Sequence, residues 1–359
     1  MGMKRAPVHG EDSGVPYSAP TVYRLLPTAD AEILATELRN RVPAVTDPHG
    51  VCVVLVHGFS GSIGRPALRA VTAGLRTHVS VLSMDLRGHG RSTGTCTFGD
   101  REVLDVDAAV GEARRLGYRE VVTMGWSMGG AAVVRHAGLA AGGEPAHGHR
   151  VRHRPDAVVA VSAASRWFVR DTAPMRRIHW FAETASGRAA ARVALGVRIA
   201  AQPWPAVPPS PVELIGRIAP TPVLIVHGDR DSYFTLEHPR ALAAGAGPTG
   251  QLWVVPGFGH AEAAATAGLL DRIGAHLPDL LAGRPEWSAR AGRIAGETAE
   301  GLGAGLDAGR GVGRGPGGDT SPILGEPSSG VLRPPVARRG AAGEWRRSGP
   351  GQGSRSRRG

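Results

Sequence analysis

The sequence predicts an α/β fold built on a mostly parallel, doubly wound sheet. Runs of Val, Leu and Ile, five or six residues long, alternate with longer segments of helical periodicity. Continuous apolar runs of this length suit strands that are buried on both faces, as in parallel sheets. Strands that alternate with helices imply right-handed crossovers between parallel neighbours. A hydrophobic fraction of 42% and a charged fraction of 20% favour a soluble globular body.

The predicted elements follow one another in a regular order. Two short strand-like runs within residues 21–41 predict an antiparallel hairpin that leads into the body. Predicted core strands then lie at Val51–Val56, Val79–Met84, Val121–Gly125, Ala157–Ser162, Pro222–Val226 and Leu252–Val255. The predicted helices are Pro66–Arg76, Arg101–Leu116, Met128–Leu139, Leu236–Ala244 and His260–Leu277. Ligands of such folds bind beyond the carboxyl ends of the strands, so that edge is where we expect the site.

Three segments depart from this order. Residues 1–20 are rich in Pro, Gly and Ser, and we expect them to be flexible. Residues 163–220 separate two core strands with a helical pattern and many aromatic residues, which favours an ordered cap. Residues 284–359 are rich in Gly and Arg and lack apolar periodicity, so we predict a disordered tail. The globular domain is therefore expected to span residues 21–283.

Composition disfavours several classes of protein. No run approaches the roughly 18 apolar residues of a membrane helix, and residues 1–20 lack the apolar core of a secretory signal. The two cysteines, Cys52 and Cys96, cannot form a disulfide framework, which favours the reducing cytoplasm. The formal net charge of +11 comes almost wholly from dispersed arginines, since Lys4 is the only lysine. We therefore expect no nucleic-acid partner for the body, and an acidic-surface tether remains a hypothesis for the tail.

The strongest chemical signal is the segment Gly125-Trp126-Ser127-Met128-Gly129. It directly follows one predicted strand and directly precedes a predicted helix. A G-x-S-x-G sequence in that setting is typical of a sharp strand-to-helix turn that exposes a serine hydroxyl. Small residues are needed on either side because the turn is strained, and the helix N-terminus behind it favours developing negative charge. Ser127 is the predicted nucleophile.

Four further motifs, each following a predicted strand, make the sequence resemble the α/β-hydrolase superfamily over residues 21–281. They are His57-Gly58-Phe59-Ser60, Asp85-Leu86-Arg87-Gly88-His89-Gly90-Arg91-Ser92, His227-Gly228-Asp229-Arg230-Asp231 and Gly257-Phe258-Gly259-His260. The chain order Ser, then Asp, then His is the order that this superfamily uses. The resemblance implies the α/β-hydrolase fold with a cap, and an activity similar to that of serine esterases and lysophospholipases.

A serine hydroxyl needs a base within hydrogen-bond reach. His260, on the loop after the last predicted strand, is the predicted base. His57, His89 and His227 also lie just beyond strands and are the alternatives. The resemblance implies structural roles for these three, because each belongs to one of the family's loop patterns.

The carboxylate that orients the base is open between Asp229 and Asp231. In the family pattern the acid stands three residues after the glycine, here Gly228, which favours Asp231. Asp229 would then shape the loop. The predicted triad is therefore Ser127, His260 and Asp231.

By the same resemblance, the main-chain N–H groups of Phe59 and Met128 form the oxyanion hole. The substrate pocket is expected to include Trp126, Trp167 and Phe168. Two alternatives stay open: Phe59 as plain pocket lining, and Trp126 as core packing under the turn.

No cofactor is predicted. The polar loop over residues 142–155 carries His147, His149 and His153, but it lacks cysteines and has only Glu144 as a close carboxylate. This pattern favours a solvated loop over a metal site. Neither a Walker sequence nor a G-x-G-x-x-G after a first strand is present, which disfavours a nucleotide cofactor.

The leading functional hypothesis is a cytoplasmic serine hydrolase that cleaves a small-molecule carboxylic ester through an acyl-enzyme. The aromatic insertion favours a medium-sized apolar acyl chain. Its arginines (Arg166, Arg170, Arg176 and Arg177) suit an anionic group instead, which makes acyl thioesters the nearest alternative substrates. A non-catalytic binding protein on the same scaffold is the third hypothesis.

Overall fold

The computed structural model describes residues 21–42 and 50–283. The strands are β1 Val22–Pro27, β2 Ile33–Arg39, β3 Val51–Val56, β4 Ser80–Met84, β5 Glu120–Trp126, β6 Pro145–Ala146, β7 His149–Arg150, β8 Ala157–Val161, β9 Val223–Gly228 and β10 Gly250–Val255. The helices are α1 Pro66–Leu75, α2 Glu102–Arg115, α3 Met128–Gly142, α4 Ala173–Glu183, α5 Ala185–Ala190, α6 Pro211–Leu214, α7 Glu237–Ala246, α8 Ala261–Ala264 and α9 Ala267–Leu281. The predicted flexible N-terminus (residues 1–20) and tail (residues 284–359) lie outside the described residues.

The main sheet has eight strands in the order β1-β2-β4-β3-β5-β8-β9-β10. β1 pairs antiparallel with β2, and β2 pairs antiparallel with β4. Every other neighbouring pair in this sheet is parallel. The predicted hairpin and the six predicted core strands are confirmed, and the ends of the core strands differ from the prediction by at most two residues.

Helices cover both faces of the sheet. Along β3, Val54 and Val56 pack into a core with residues of α2, α3 and α7, whereas Val53 and Leu55 pack into a second core with residues of α1 and α9. Successive side chains of a strand point to opposite faces, so one short apolar run serves both cores. The predicted doubly wound α/β fold is therefore confirmed.

The predicted helix His260–Leu277 is wrong in one respect, because the structure divides it in two. α8 ends at Ala264, and α9 begins anew at Ala267 with Thr266 as its cap. The Thr266 side chain accepts a hydrogen bond from the N–H of Leu269 at 3.2 Å. A threonine that satisfies a free N–H of the first turn is a strong start signal for a new helix.

The segment predicted as a solvated loop, residues 142–155, contains the short hairpin of β6 and β7. Its histidines are partly anchored: His147 lies 2.9 Å from a carboxylate oxygen of Asp100, and His153 lies 3.2 Å from Asp107. Within the described residues, no three His, Cys, Asp or Glu side chains are grouped so as to hold a metal ion. The same residues include no helix that combines the length and the apolarity of a membrane span.

Residues 163–220, here named the cap segment, carry α4, α5 and a π-helical turn over Ala191–Leu195. The segment is attached to the loop after β4 by main-chain hydrogen bonds. The N–H of Cys96 donates to the carbonyl of Arg198 at 2.7 Å, and the N–H of Ala200 donates to the carbonyl of Cys96 at 3.0 Å. These two hydrogen bonds form a short parallel bridge, which holds residues 198–200 of the cap segment against the loop after β4.

A buried arginine joins the first hairpin to the body. The guanidinium of Arg87 contacts Asp30 at 2.7 Å and Asp105 at 2.7 Å, and the Arg87 and Asp105 side chains are almost fully buried. The main-chain N–H of Arg87 also donates to Asp105 at 2.9 Å. A buried charge is tolerated only when its partner and hydrogen bonds are in place, so these residues depend on one another.

We expect Arg87→Gln to lower the free energy of unfolding by about 3–5 kcal/mol, because two largely buried carboxylates lose their cation. Urea denaturation measures the change. Arg115→Gln, which removes an exposed guanidinium on α2, is the matched control and should leave the midpoint nearly unchanged. Equal midpoints for the two variants would contradict a stabilising role for the buried pair.

Candidate active site

The turn between β5 and α3 has the strained conformation that the sequence predicts. Ser127 has φ 52° and ψ −115°. Residues other than glycine rarely adopt a positive φ. A Cβ on Gly125 would lie 2.2 Å from the carbonyl oxygen of Gly129, and a Cβ on Gly129 would lie 2.5 Å from the carbonyl oxygen of His57. The N–H of Ser127 donates to the carbonyl of Val161 on β8 at 2.8 Å. The turn is therefore closed by main-chain contacts that exclude larger residues.

Three predicted site residues meet at the carboxyl ends of three parallel strands. Ser127 follows β5, Asp231 lies beyond β9, and His260 lies beyond β10. The Ser127 hydroxyl lies 2.9 Å from Nε2 of His260. Nδ1 of the same ring lies 2.8 Å from Oδ2 of Asp231. Residues far apart along the chain thus form one continuous hydrogen-bonded series.

Asp231 is held in its ionised form. Burial by itself would raise the pKa of this carboxyl, but hydrogen bonds from His260 and from the amides of Phe234 and Tyr233 outweigh burial and leave the pKa below its ordinary value. The two amides donate to Oδ1 at 3.0 and 2.8 Å. The other candidate, Asp229, instead accepts a hydrogen bond from the N–H of Gly257 at 2.7 Å. The carboxylate in contact with the imidazole is that of Asp231.

The ring of His260 is fixed by its neighbours. Tyr233 stacks on it with ring centroids 4.1 Å apart, and Phe234 meets it edge-on at 5.5 Å. The hydroxyl of Ser162 accepts a hydrogen bond at 3.2 Å from the main-chain N–H of Ala261, the residue after His260. Few rotamers remain open to the imidazole, which keeps both of its nitrogens aligned with their partners.

The three alternative histidines are hydrogen-bonded to main-chain groups, and Nε2 of His227 also lies 3.5 Å from Oδ2 of Asp231. His57 donates from Nδ1 to the carbonyl of Gly58 at 2.7 Å, while its Nε2 accepts the N–H of Leu86 at 3.0 Å. His89 contacts the carbonyl of Arg87, and His227 contacts that of Phe234.

Burial lowers the pKa of all three alternative histidines, and it brings the pKa of His57 and of His89 to about 4. At neutral pH these imidazoles are therefore uncharged. Each of them fastens a loop at the strand edge through a hydrogen bond to the main chain.

Phe59 and Met128 flank the serine and line the same cavity. Within the described residues, neither main-chain N–H has a hydrogen-bond acceptor. The loop that carries Phe59 lies close to the turn, because a Cβ on Gly58 would sit 3.2 Å from Cβ of Ser127. Two N–H groups without acceptors beside a serine hydroxyl suit an oxyanion site.

Glu262 is a residue of this site that the sequence analysis missed. Its Oε1 accepts the N–H of Gly58 at 2.6 Å, so it ties the loop of Phe59 to the loop of His260. Burial raises the pKa of this carboxyl, and the hydrogen bond from Gly58 offsets only part of the rise. Its only sequence signal is its position two residues after His260, which matches no general motif.

A cavity of about 840 Å³ opens between the turn at Ser127 and the cap segment. Trp167 and Phe168 line it, as expected, together with Phe59. Trp126 does not: its fully buried side chain packs in the core on the α1 and α9 face of the sheet. The expected placement of Trp126 in the pocket is therefore wrong and its alternative, core packing, is right, because this strand position points into the body. Phe59 stacks on Phe98 with ring centroids 5.2 Å apart.

The chain is similar to known proteins at the level of family and fold. Residues 53–269 match the family described as the alpha/beta hydrolase family. The esterase Pf2001 of Pyrococcus furiosus is 19% identical and has a TM-score of 0.55, with 78% of this chain and 100% of that chain covered. The alpha/beta hydrolase GrgF from Penicillium sp. sh18 is 16% identical and has a TM-score of 0.53, with 73% and 98% covered. No curated protein matches the chain significantly.

We expect Gly125→Ala to destabilise the protein by about 1–3 kcal/mol or more, because the new Cβ meets main-chain atoms that cannot turn away. Gly268→Ala is the matched control: nothing lies within 4 Å of its added Cβ, at the start of α9. Thermal unfolding of the two variants measures the difference. A melting temperature for Gly125→Ala equal to that of Gly268→Ala would show that the turn tolerates a side chain.

Proposed function

This chain belongs to the alpha/beta hydrolase family, and we propose that it is a serine hydrolase that cleaves carboxylic esters through an acyl-enzyme intermediate. The observation that carries the proposal is the hydrogen-bonded series from Ser127 through His260 to Asp231, with spacings of 2.9 and 2.8 Å. A hydroxyl, a base and an orienting carboxylate in this arrangement make serine nucleophilic in neutral water. An intact series of this kind argues against a non-catalytic binding protein.

In the first half of the reaction, Oγ of Ser127 attacks the ester carbonyl while Nε2 of His260 takes the hydroxyl proton. The carbonyl oxygen becomes an oxyanion as the tetrahedral intermediate forms. When the intermediate collapses, the bond to the alcohol oxygen breaks and His260 returns the proton to the leaving alcohol. The acyl group is then attached to Ser127.

In the second half, a water molecule attacks the acyl carbonyl and gives its proton to Nε2 of His260. When the second tetrahedral intermediate collapses, the bond between the acyl carbon and Oγ of Ser127 breaks, His260 gives the proton to Oγ, and the carboxylic acid is released. Throughout, Asp231 accepts the Nδ1–H of the ring and stabilises the imidazolium. The lowered pKa of Asp231 suits this role, because a carboxyl with a pKa below its ordinary value is charged at neutral pH.

The oxyanion of both intermediates is proposed to bind the N–H groups of Phe59 and Met128. Each such donor contributes about 3–4 kcal/mol to the transition state of comparable enzymes. The N-terminus of α3 adds a favourable dipole at the same point. Glu262 supports the arrangement indirectly, since it holds the N–H of Gly58 next to Phe59.

We propose residues 163–220 as the cap over this site and a small-molecule acyl ester as the substrate. The aromatic wall formed by Trp167, Phe168 and Phe59 suits an apolar acyl chain. Acyl thioesters would react by the same steps. A cytoplasmic location is part of the proposal, because Cys52 and Cys96 are both buried free thiols.

We expect a fluorophosphonate probe to label the wild-type protein and not the Ser127→Ala variant. In parallel, kcat/KM for 4-nitrophenyl butyrate should fall about 10⁴-fold or more, because the nucleophile is gone. Ser186→Ala, at an exposed position of α5, is the control and should keep both activities. Labelling that persists in Ser127→Ala would place the reactive group elsewhere.

We expect Asp231→Asn to lower kcat about 10³–10⁴-fold, because the amide favours the wrong tautomer of His260. Asp229→Asn is the matched control: its amide oxygen can still accept the N–H of Gly257, so kcat should change little. Steady-state kinetics with 4-nitrophenyl butyrate separates the two variants, and circular dichroism checks their folding. A loss confined to Asp229→Asn would reassign the orienting acid.

A further inference from the structure

We infer that the cavity selects esters whose acyl chain ends in an anionic oxyacid group, and that Arg177 and Arg188 of the cap segment bind that group. The inference rests on the proposed esterase function and names the substrate class of the same site. It follows from how the charged side chains on the cavity wall are paired.

Within the described residues, three arginines of the cap segment pair with carboxylates, namely Arg166, Arg170 and Arg217. Arg166 makes two contacts with Glu237, at 2.9 and 3.2 Å. Arg170 contacts Glu183 at 2.5 Å. These guanidinium groups are neutralised by carboxylates and add no net attraction for an anion.

Arg177 differs from them in position and in pairing. It lies on α4 among residues that line the cavity, which are Pro174, Met175, Ile178, Phe181 and Ala182. Its neighbour Arg176 does not line the cavity and donates to main-chain carbonyls of the loop before α4. Over residues 21–42 and 50–283, no carboxylate lies within ion-pair distance of Arg177.

Arg188 of α5 is the second uncompensated cation of the wall. Its side chain is half-buried, and Nη1 donates to the carbonyl of Ala182 at 3.0 Å. A guanidinium carries five N–H donors, and this contact fixes its plane while leaving donors for a ligand. In the described part of the chain it too lacks a carboxylate partner.

The acidic residues of the wall cannot balance these two charges. Glu183 already accepts hydrogen bonds from Arg170 at 2.5 Å and from His179 at 2.8 Å. Glu262 accepts the N–H of Gly58 beside Ser127 and makes no ion pair with either arginine within the described residues. The cavity wall therefore carries two guanidinium groups that no carboxylate of the described residues neutralises.

These two guanidinium groups orient a charged substrate. A carboxylate or phosphate is attracted by Arg177, which is exposed at the cavity wall, and by the half-buried Arg188. Guanidinium groups bind such oxyacids through paired hydrogen bonds, and a cleft with apolar walls strengthens the attraction. The aromatic side chains that line the same cavity suit the apolar part of the acyl chain. In the proposed binding mode the scissile carbonyl lies at Ser127 while the anionic end lies at the two arginines.

The test compares two esters of equal acyl length, mono-4-nitrophenyl suberate with a terminal carboxylate and 4-nitrophenyl octanoate without one. For the wild type, we expect kcat/KM to be higher for the suberate ester and the advantage to shrink as salt is added. Arg177→Gln and Arg188→Gln should each lower the suberate-to-octanoate ratio of kcat/KM about tenfold, mainly through KM for the suberate ester. The ratio is the readout because a merely structural change would slow both esters alike.

Arg192→Gln is the matched control. Arg192 is exposed, belongs to the same segment and does not line the cavity, so its loss removes the same charge without changing the ratio. An unchanged ratio in both Arg177→Gln and Arg188→Gln, with octanoate still hydrolysed, would overturn this inference alone. Failure of the wild type to hydrolyse either ester would overturn the proposed function, and the inference with it.

Discussion

The strained main chain at Ser127 is the constraint on which the site depends. A φ of 52° is unfavourable for serine, and it persists because the surrounding structure fixes it. Gly125 and Gly129 approach so closely that no side chain fits between them, and β8 accepts the N–H of Ser127. The strain lifts the hydroxyl above the strand ends and aims the first turn of α3 at the same point.

The parallel pairing of the strands then brings Asp231 and His260 next to Ser127. β5, β8, β9 and β10 are neighbours in this order, so the loops beyond β9 and β10 open at the edge where Ser127 lies. Asp231 and His260 belong to these loops. Neutral buried histidines and Asp85 fasten the surrounding turns: Asp85 accepts the N–H groups of Ile63 and Arg91 at 2.7 and 2.9 Å. Preorganised polar groups of this kind reduce the reorganisation that a reaction requires.

In the proposed function, the cap segment contributes specificity rather than reactivity. It supplies aromatic side chains, a bridge to the loop at Cys96 and the two uncompensated arginines. A general serine mechanism accepts many acyl groups, so selection must come from groups at a distance from the carbonyl. In the inference drawn above, Arg177 and Arg188 provide such a selection, because they attract the anionic end of a charged ester.

Much of the fold and part of the site followed from the sequence alone. Local signals are strong for strands such as Val51–Val56, for the helices that follow them and for the turn at Ser127. The spacing of apolar residues and the glycines around the serine are both readable within a few residues. Local signals did not decide which way Trp126 points, where α8 ends or which arginines stay unpaired, and Asp231 was preferred to Asp229 only through the family resemblance. Each of these depends on partners that are distant along the chain, and only the packing of the whole sheet brings those partners into contact.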